Sequence, residues 1–184
     1  MILKKASKAL RFLIEILIIV VVAVALSVVI RIFLVETYEV PTGSMIPTIE
    51  IGDRILSEKI TYYFNEPQKG DIITFVSPTD NETILVKRVI ATGGDVVDIV
   101  DGVLYVNGEE QDESYVYGKP TYEMDTNSGV TISYPYTVPE GYLWVMGDNR
   151  TNSSDSRVFG PVSVDSVTGR VFFRYWPLDR FGPM

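Results

Sequence analysis

The pattern of apolar and polar positions divides the chain into one long apolar run and a series of short alternating segments. The run carries no charge over residues 16–30, and with the residues after Arg31 it extends to Val35. It therefore holds about 20 residues, enough for a helix to cross about 30 Å of hydrocarbon. We predict a transmembrane anchor at residues 12–35.

The residues before the run set its predicted orientation. Four basic residues, with no acid among them, precede it: Lys4, Lys5, Lys8 and Arg11. The positive-inside rule keeps this segment, residues 1–11, in the cytoplasm and places residues 36–184 outside. A cleavable signal peptide is the alternative, because Ala23-Val24-Ala25 supplies a small-residue pattern. The apolar run continues to Val35 without a polar region, which favours an uncleaved anchor.

Beyond the anchor, short segments rich in β-branched and aromatic residues alternate with turn signals, and no long stretch has a helical period. This pattern predicts an all-β domain. The predicted strands are residues 36–40, 54–59, 71–77, 84–92, 96–100, 103–106, 142–146 and 170–176. The strongest hairpin dipeptides, Asp101-Gly102 and Asn107-Gly108, flank the strand at 103–106.

Residues 109–141 differ from the rest of the predicted domain, because they are polar, rich in tyrosine and interrupted by glycine and proline. We interpret them as an extended loop or a small β excursion inserted into the main sheet. No internal repeat accompanies them.

Two absences in the composition exclude whole classes of site. The chain has no cysteine and no histidine, so disulfides, zinc sites built on these residues and Ser-His-Asp triads are impossible. We expect no metal and no other cofactor. If a hydroxyl is a nucleophile, its proton must pass to a lysine or a carboxylate.

Charge is distributed unevenly along the chain. Residues 36–184 hold 11 of the 16 basic groups and 23 of the 24 acidic groups, which gives a net charge of −12. An acidic domain repels phosphate backbones, so we do not expect nucleic acid as a partner.

The stretch PTGSMIPT, residues 41–48, places Ser44 between two prolines. Pro41 and Pro47 restrict φ, and Gly43 permits a close or left-handed backbone, so we expect Ser44 on a rigid, exposed turn. Rigidity suits a nucleophile. An isolated Thr-Gly-Ser, however, is more often a simple turn.

Lys87 is the lysine of the predicted domain that lies inside an apolar strand. Alternation puts either Lys87 or its neighbour Arg88 among apolar side chains, and periodicity alone does not decide which. Burial lowers a lysine pKa, so that the amine can act as a base near neutral pH, whereas arginine stays charged. An edge-strand or ion-pairing lysine is the alternative interpretation.

A polar segment, residues 147–157, follows the apolar strand at 142–146 and is dense in Asp, Asn, Ser and Arg. It is either a solvated loop or a support for a site, in which an Asp-Arg pair fixes the loop and a serine hydroxyl orients an amine. Alone, the segment does not decide between these.

Together these segments resemble the type I signal peptidase family, the bacterial leader peptidases, which are membrane-bound serine proteases that remove signal peptides from exported proteins. The resemblance covers the anchor and the motifs SMIPT at 44–48, GDRI at 52–55, KRVIATGGD at 87–95 and GDNRTNSSDSR at 147–157. The single anchor and RYWPLDRFG near the C-terminus look like the short Gram-positive forms. One departure is Gly93, where many relatives have proline.

The resemblance implies a Ser-Lys dyad, with Ser44 as the nucleophile and Lys87 as the general base. It also implies an oxyanion hole formed by the Thr42 hydroxyl and the Ser44 backbone N–H. The residues implied to support the dyad are Ser153, Asp155, Arg157, Met45, Gly147 and Asp148. Of these, Ser153 is implied to orient the lysine amine. Asp53 and Arg54 are interpreted as structural support.

By the same resemblance, the substrate is a preprotein signal peptide emerging from the translocase, bound extended and cut after an Ala-x-Ala pattern. The implied location is the cell membrane, crossed once, with membrane lipid as a further partner. The aromatic residues near the C-terminus are a core strand by default or, as a hypothesis, a lipid-facing surface; they are Phe172, Phe173, Tyr175, Trp176 and Phe181.

Two other classes of protein remain as alternatives. A Ser-Lys protease that cuts itself or a regulator, like the LexA-type repressors, would carry an N-terminal DNA-binding region where this chain has its apolar run. A membrane-tethered binding module would keep the motifs only as scaffold, and the presence of both Ser44 and Lys87 speaks against it.

Overall fold

The structure is a computed structural model, and the residues it describes are 2–116, 120–126 and 129–184. The chain divides into two compact units, residues 1–36 and residues 37–184. The first unit is dominated by helix α1, Ile2–Phe33. Within α1, Leu10–Val28 is long and apolar enough to cross a membrane, and none of that stretch is buried inside the protein.

After α1 the chain forms short strands. They are β1 Val35–Glu39, β2 Arg54–Glu58, β3 Ile72–Val76, β4 Ile84–Thr92, β5 Val96–Val100, β6 Val103–Val106, β7 Glu109–Glu110, β8 Tyr136–Thr137, β9 Tyr142–Met146, β10 Val162–Ser163, β11 Val167–Trp176 and β12 Gly182–Pro183. Two short helices, α2 (Thr61–Phe64) and α3 (Ser156–Phe159), lie in the connections. Single 3₁₀ turns occur at Ser114–Val116, Val164–Ser166 and Leu178–Arg180.

The strands form two sheets. The larger has the order β1-β2-β11-β3-β4-β9-β10, with β12 paired to β11, and the smaller has the order β7-β6-β5-β8. The late strand β11 therefore lies between β2 and β3 and is antiparallel to both. A mostly β domain behind one N-terminal helix is confirmed.

The predicted strands agree with the observed ones to within three residues at each end, and β4, β5, β6 and β9 have the predicted bounds. The strands that the pattern missed, β7, β8, β10 and β12, are two residues long, too short to show alternation. Both hairpin dipeptides have the positive φ of a type I′ turn, at 50° and 84° for Asp101-Gly102 and 55° and 79° for Asn107-Gly108.

The segment at residues 109–141 has a strand of the smaller sheet at its start and another near its end, since β7 pairs with β6 and β8 pairs with β5. Between these strands Val116 and Thr121 are buried. Val138 joins the core cluster around Trp144. The described part of the segment is thus tied to the smaller sheet at both ends.

Three clusters of buried apolar side chains form the described core. The first centres on Trp144 and joins the two sheets, and the second contains Phe75 and Phe159, whose rings meet edge to face. The third anchors the segment after β1 to the larger sheet, and its members are Val40, Met45, Ile49, Ile55, Ile72 and Val171. Burial of Met45 and Ile49 therefore fixes the segment that carries Ser44.

Gly169 lies where β11 passes β2, and a Cβ there would be 2.6 Å from Ser57 Oγ and 2.7 Å from the Glu58 carbonyl oxygen. We expect Gly169→Ala to destabilise the protein by about 1–3 kcal/mol, because the two strands must separate to admit the methyl group. Thermal unfolding of the detergent-solubilised chain measures the loss. Gly182→Ala is the control, since open space surrounds that residue, and equal unfolding temperatures for the two variants would contradict the prediction.

Candidate active site

Ser44 lies on the loop between β1 and β2, and this loop is anchored from within. Met45 is buried with 1% of its surface exposed, whereas Ser44 is half-buried. Gly43 does not have a positive φ. A Cβ at Gly43 would lie 2.9 Å from Ile46 Cδ1, so this glycine serves close packing and not a left-handed backbone.

Lys87 extends from β4 to the nucleophile candidate. Its Nζ donates to Ser44 Oγ over 2.7 Å and to the Val86 carbonyl oxygen over 3.0 Å, and only 3% of the residue is exposed. Burial lowers the pKa of Lys87 to about 8, while the negative charges of Asp155 and Asp148 oppose that shift. With a pKa of about 8, roughly a tenth of the amine is unprotonated at pH 7 and about half at pH 8, and the unprotonated form is the one that a general base requires.

Arg88, the neighbour that alternation could not distinguish from Lys87, pairs with Asp148. Its Nε donates to Asp148 Oδ1 over 2.9 Å and its Nη2 donates to Asp148 Oδ2 over 2.7 Å. The Thr48 hydroxyl donates to the same carboxylate. This bidentate pair ties β4 to the polar segment at 147–157, and Asp148 is 1% exposed.

Asp155 organises the polar segment from within. It is fully buried and accepts hydrogen bonds from Arg157 Nε and Nη2, each over 2.9 Å. The Gly147 N–H donates to Asp155 Oδ2 over 3.0 Å, and the Arg157 N–H donates to its Oδ1, which caps α3. The Asp-Arg pair expected to fix this loop therefore forms.

The polar segment touches the Ser44 loop through main-chain groups. The Asn149 N–H donates to the Ser44 carbonyl oxygen over 2.9 Å, and the Asn149 side-chain amide donates to the Gly43 carbonyl oxygen over 2.8 Å. A Cβ at Gly147 would lie 2.4 Å from the Ser44 carbonyl oxygen and 2.3 Å from Ser153 Oγ. Only glycine fits at position 147.

Ser153 is buried beside Gly147, but its hydroxyl makes no hydrogen bond within the part of the chain that the structure describes. The Lys87 amine donates to Ser44 and Val86 instead. The contact between Ser153 and the amine is not made here, and that orienting role stays a prediction.

A groove of about 120 Å³ opens beside Ser44 and Lys87. One wall comes from residues 38–45 and the other from residues 83–87, and Thr42 lines it as an exposed side chain. Strand β9 pairs with β4 only from Arg88 onwards. The first half of β4 therefore has β3 on one side and the groove on the other.

Asp53 holds the far end of the Ser44 loop. It is 1% exposed and accepts hydrogen bonds from Arg174 Nη1 over 3.3 Å and Arg180 Nη1 over 3.2 Å. Arg174 also donates to the Thr48 carbonyl oxygen over 2.9 Å. These bonds connect the loop to β11, which fits the supporting role inferred for Asp53.

Two other residues of the motifs lie away from the dyad. Arg54 is exposed and pairs with Glu39 over 3.3 Å. Gly93 packs against Glu140, where a Cβ would lie 2.9 Å from the Glu140 Cα. A side chain at position 93 would therefore need this turn to move.

Sequence reasoning missed several residues around the site, namely Thr48, Arg88 as the partner of Asp148, Glu113, Asn149 and Arg150. Asn149 and Arg150 lie inside the motif at 147–157, which could have pointed to them. Glu113 lies outside every motif and 37 residues from its partner Arg150, so no local pattern indicated it. Among the described residues, no group of three or more acidic side chains could hold a metal ion.

A hydroxyl held by a buried amine of lowered pKa, beside an open groove, is the arrangement that a serine hydrolase with a lysine base requires. The chain belongs to the signal peptidase family, peptidase S26, whose family profile matches residues 13–176. The family resemblance drawn from the motifs is confirmed.

Individual relatives agree with the family. The chain is 38% identical to thylakoidal processing peptidase 1, chloroplastic, of Arabidopsis thaliana, over 86% of this chain and 47% of that protein. It is 37% identical to the probable signal peptidase I-1 of Synechocystis, over 89% and 82%, and 34% identical to signal peptidase IB of Staphylococcus aureus, over 92% of each.

Coverage and structural similarity differ among the relatives. The chain spans a little under half the length of thylakoidal processing peptidase 1 and of the probable thylakoidal processing peptidase 2 of the same plant. A crystal structure of a signal peptidase I from Enterococcus faecalis is 36% identical, with a TM-score of 0.45, and the match covers 58% of this chain and 97% of that one.

The lowered pKa of Lys87 predicts that the stability of the folded protein depends on pH, and this dependence can be measured without a substrate. Between pH 8 and 10.5 the unfolded chain keeps a proton that native Lys87 has released, so the free energy of unfolding rises with pH across this window. Relative to Lys87→Met, the wild type should gain about 3 kcal/mol over that range. Denaturant unfolding of both proteins at several pH values measures the gain, and parallel profiles would contradict it.

Proposed function

We propose that the protein is a membrane-anchored serine endopeptidase that removes N-terminal signal peptides from exported preproteins. Cleavage follows small residues in an Ala-x-Ala pattern, with Ser44 as the nucleophile and Lys87 as the base. One observation carries the proposal: the buried Lys87 amine lies 2.7 Å from Ser44 Oγ. Membership of the signal peptidase family supports the substrate class.

The reaction begins when unprotonated Lys87 accepts the Ser44 proton as Ser44 Oγ bonds to the scissile carbonyl carbon. The Lys87 ammonium then gives this proton to the leaving amide nitrogen, the C–N bond breaks, and the new amino terminus departs from an acyl-enzyme. A water molecule, deprotonated by the same amine, attacks the ester carbonyl, and Ser44 regains its proton as the signal peptide leaves.

Charge that develops on the carbonyl oxygen needs donors that are already in place. The Thr42 hydroxyl and the Ser44 backbone N–H fill this role in the proposal, and the exposed Thr42 side chain in the groove supports it. Such donors act on the transition state, and the loss of one typically costs about 10²- to 10³-fold in rate.

An extended peptide fits the groove as an added strand, because the residues of β4 before Arg88 have an open side there. Main-chain hydrogen bonds to this edge would supply affinity for any sequence. Selectivity then comes from the space left for each side chain of the bound peptide, and in the proposal this space admits small residues such as alanine beside Ser44 and Lys87.

In the proposed topology, α1 crosses the cell membrane with its basic end in the cytoplasm and the second unit outside. The apolar stretch Leu10–Val28 and the basic residues before it support this orientation. In this topology the second unit would bind a signal peptide on the outer side of the membrane, where the translocated chain leaves the translocase.

Cleavage of a preprotein that carries an Ala-x-Ala site tests the function. We expect the detergent-solubilised wild type to cut after the second alanine, and Ser44→Ala and Lys87→Ala to be nearly inactive, because each lacks one half of the dyad. Mass spectrometry of the products maps the cut. Activity of the wild type should rise with pH through about 8 and level off above it as Lys87 loses its proton.

The controls separate the possible failures of this test. Gly182→Ala, placed in open space, should cleave like the wild type. An intact preprotein after incubation with folded wild type would favour the regulator-cleaving or binding-module alternatives. Cleavage that persists in both dyad variants would show that other residues, or another protein, perform the reaction.

We also propose that apolar side chains around the Ser44 loop contact the outer leaflet of the membrane. Ile51, Trp176, Leu178 and Phe181 are between 47% and 70% exposed. Arg180, which lies between Leu178 and Phe181 in the sequence, donates to the Pro47 carbonyl oxygen of the loop. Such a surface brings the site to substrates whose apolar segments are still in the bilayer.

The remaining aromatic residues of this region are less exposed. Phe173 is half-buried and its ring packs edge to face on Phe181, with the centroids 4.8 Å apart. Phe172 is 36% exposed and Tyr175 is half-buried. Because the predicted domain carries a net charge of −12, attraction to lipid must come from apolar contact and not from anionic headgroups.

The two tryptophans allow a direct test of lipid contact. In vesicles of phosphatidylcholine with brominated acyl chains, Trp176 fluorescence of a Trp144→Phe variant should be quenched, because Trp176 is 47% exposed on this surface. Trp144 is fully buried, so a Trp176→Phe variant is the matched control and should stay unquenched. Equal quenching in both variants, or none in either, would count against the proposal.

A further inference from the structure

Glu113 lies in the segment after β7, outside every motif, and its carboxylate holds Arg150. Arg150 Nη1 donates to Glu113 Oε2 over 2.7 Å, and Arg150 Nη2 donates to Glu113 Oε1. Arg150 is 1% exposed, so water cannot compensate its charge. A buried cation that loses its acidic partner is strongly destabilising, which makes this pairing consequential.

Arg150 connects Glu113 to the peptide groups beside the nucleophile. Its Nε donates to the Gly147 carbonyl oxygen over 3.1 Å, and its own carbonyl oxygen accepts from Arg157 Nη2 over 2.8 Å. Gly147 lies so close to the Ser44 carbonyl oxygen that a Cβ would come within 2.4 Å of it. A shift of the 147–150 turn is therefore transmitted to Ser44.

The same segment makes a further contact with Arg150 and one with a second arginine of the site, Arg88. The Thr121 hydroxyl accepts from Arg150 Nη1 over 2.6 Å, and the Tyr115 ring lies under the Arg88 guanidinium, with Arg88 Cζ 4.1 Å from the ring centroid. The segment thus supplies partners to both guanidinium groups, through Glu113 and Thr121 for Arg150 and through the Tyr115 ring for Arg88.

We propose that Glu113 is a positioning residue for the reaction at Ser44, acting through Arg150 to hold the 147–150 turn against the Ser44 main chain. The inference rests on the proposed peptidase function. Without the Glu113 carboxylate, the Arg150 guanidinium is expected to rotate towards another acceptor. The Gly147 carbonyl oxygen then loses the hydrogen bond from Arg150 Nε. As a result, Ser44 Oγ is no longer held at one fixed distance and angle from Lys87 Nζ.

Steady-state kinetics on an Ala-x-Ala preprotein test the inference with the full chain in detergent. We expect Glu113→Ala to lower kcat by about 10- to 100-fold, as misplacement of a reacting group does, with little change in KM. Arg150→Ala should do the same. The double variant should lose no more than Arg150→Ala alone, because both changes break one chain of contacts.

Two further variants make the test specific. Glu113→Gln keeps one acceptor oxygen and should recover part of kcat, and it carries the test if Glu113→Ala does not fold. Asp112→Ala changes the exposed acidic neighbour and should retain the kcat of the wild type. Thermal unfolding of each variant fixes an assay temperature at which all of them are folded.

The results that would overturn the inference differ from those that concern the function. Wild-type kcat in a folded Glu113→Ala or Glu113→Gln variant, a rise in KM alone, or additive losses in the double variant would exclude positioning through Arg150. Absence of cleavage by the wild type would overturn the peptidase function and this inference with it.

Discussion

The Lys87 amine loses its hydration when β4 packs into the larger sheet, and this desolvation disfavours the charged form and lowers the pKa of Lys87. The other features of the site depend on this buried amine. In a chain without histidine, this desolvated amine is what makes a base available near neutral pH. Asp148 and Asp155 favour the charged form and limit how far the pKa falls. Each of these carboxylates is paired with an arginine, whose positive charge offsets part of the carboxylate's effect on Lys87.

The polypeptide brings two distant segments to this amine, the Ser44 loop and residues 147–157, and main-chain as well as side-chain contacts set their spacing. The Ser44 carbonyl oxygen accepts from the Asn149 N–H, and Gly147 admits that approach because it has no Cβ. Buried Met45 holds the loop from the other side. Ser44 is therefore fixed by its backbone, which leaves its hydroxyl facing the groove and the amine.

How much the sequence predicted depends on the range of each interaction. The long strands β4 and β9 and the two hairpin turns were predictable, because alternation and turn residues act locally. Ser44 and Lys87 could be named from their motifs, but their hydrogen bond spans 43 residues and the burial of Lys87 was not decided by alternation. That choice depends on sheet pairing, which directs Arg88 to Asp148. Glu113 gave no local signal, since its role arises only when its segment returns to the sheet.

Because β11 lies between β2 and β3, the larger sheet, and with it the support of the Ser44 loop, is completed only after most of the chain is in place. Asp53 and Arg174, which stabilise the Ser44 loop, are 121 residues apart, so a long loop must close before β2 has its neighbour in the sheet. Pairing across such separations is slow compared with local hairpins. Ser44 is near the start of its domain in sequence, yet the loop that carries it is held by residues near the end of the chain. Under the proposed function, a newly made chain would therefore stay inactive until its last long strand is in place.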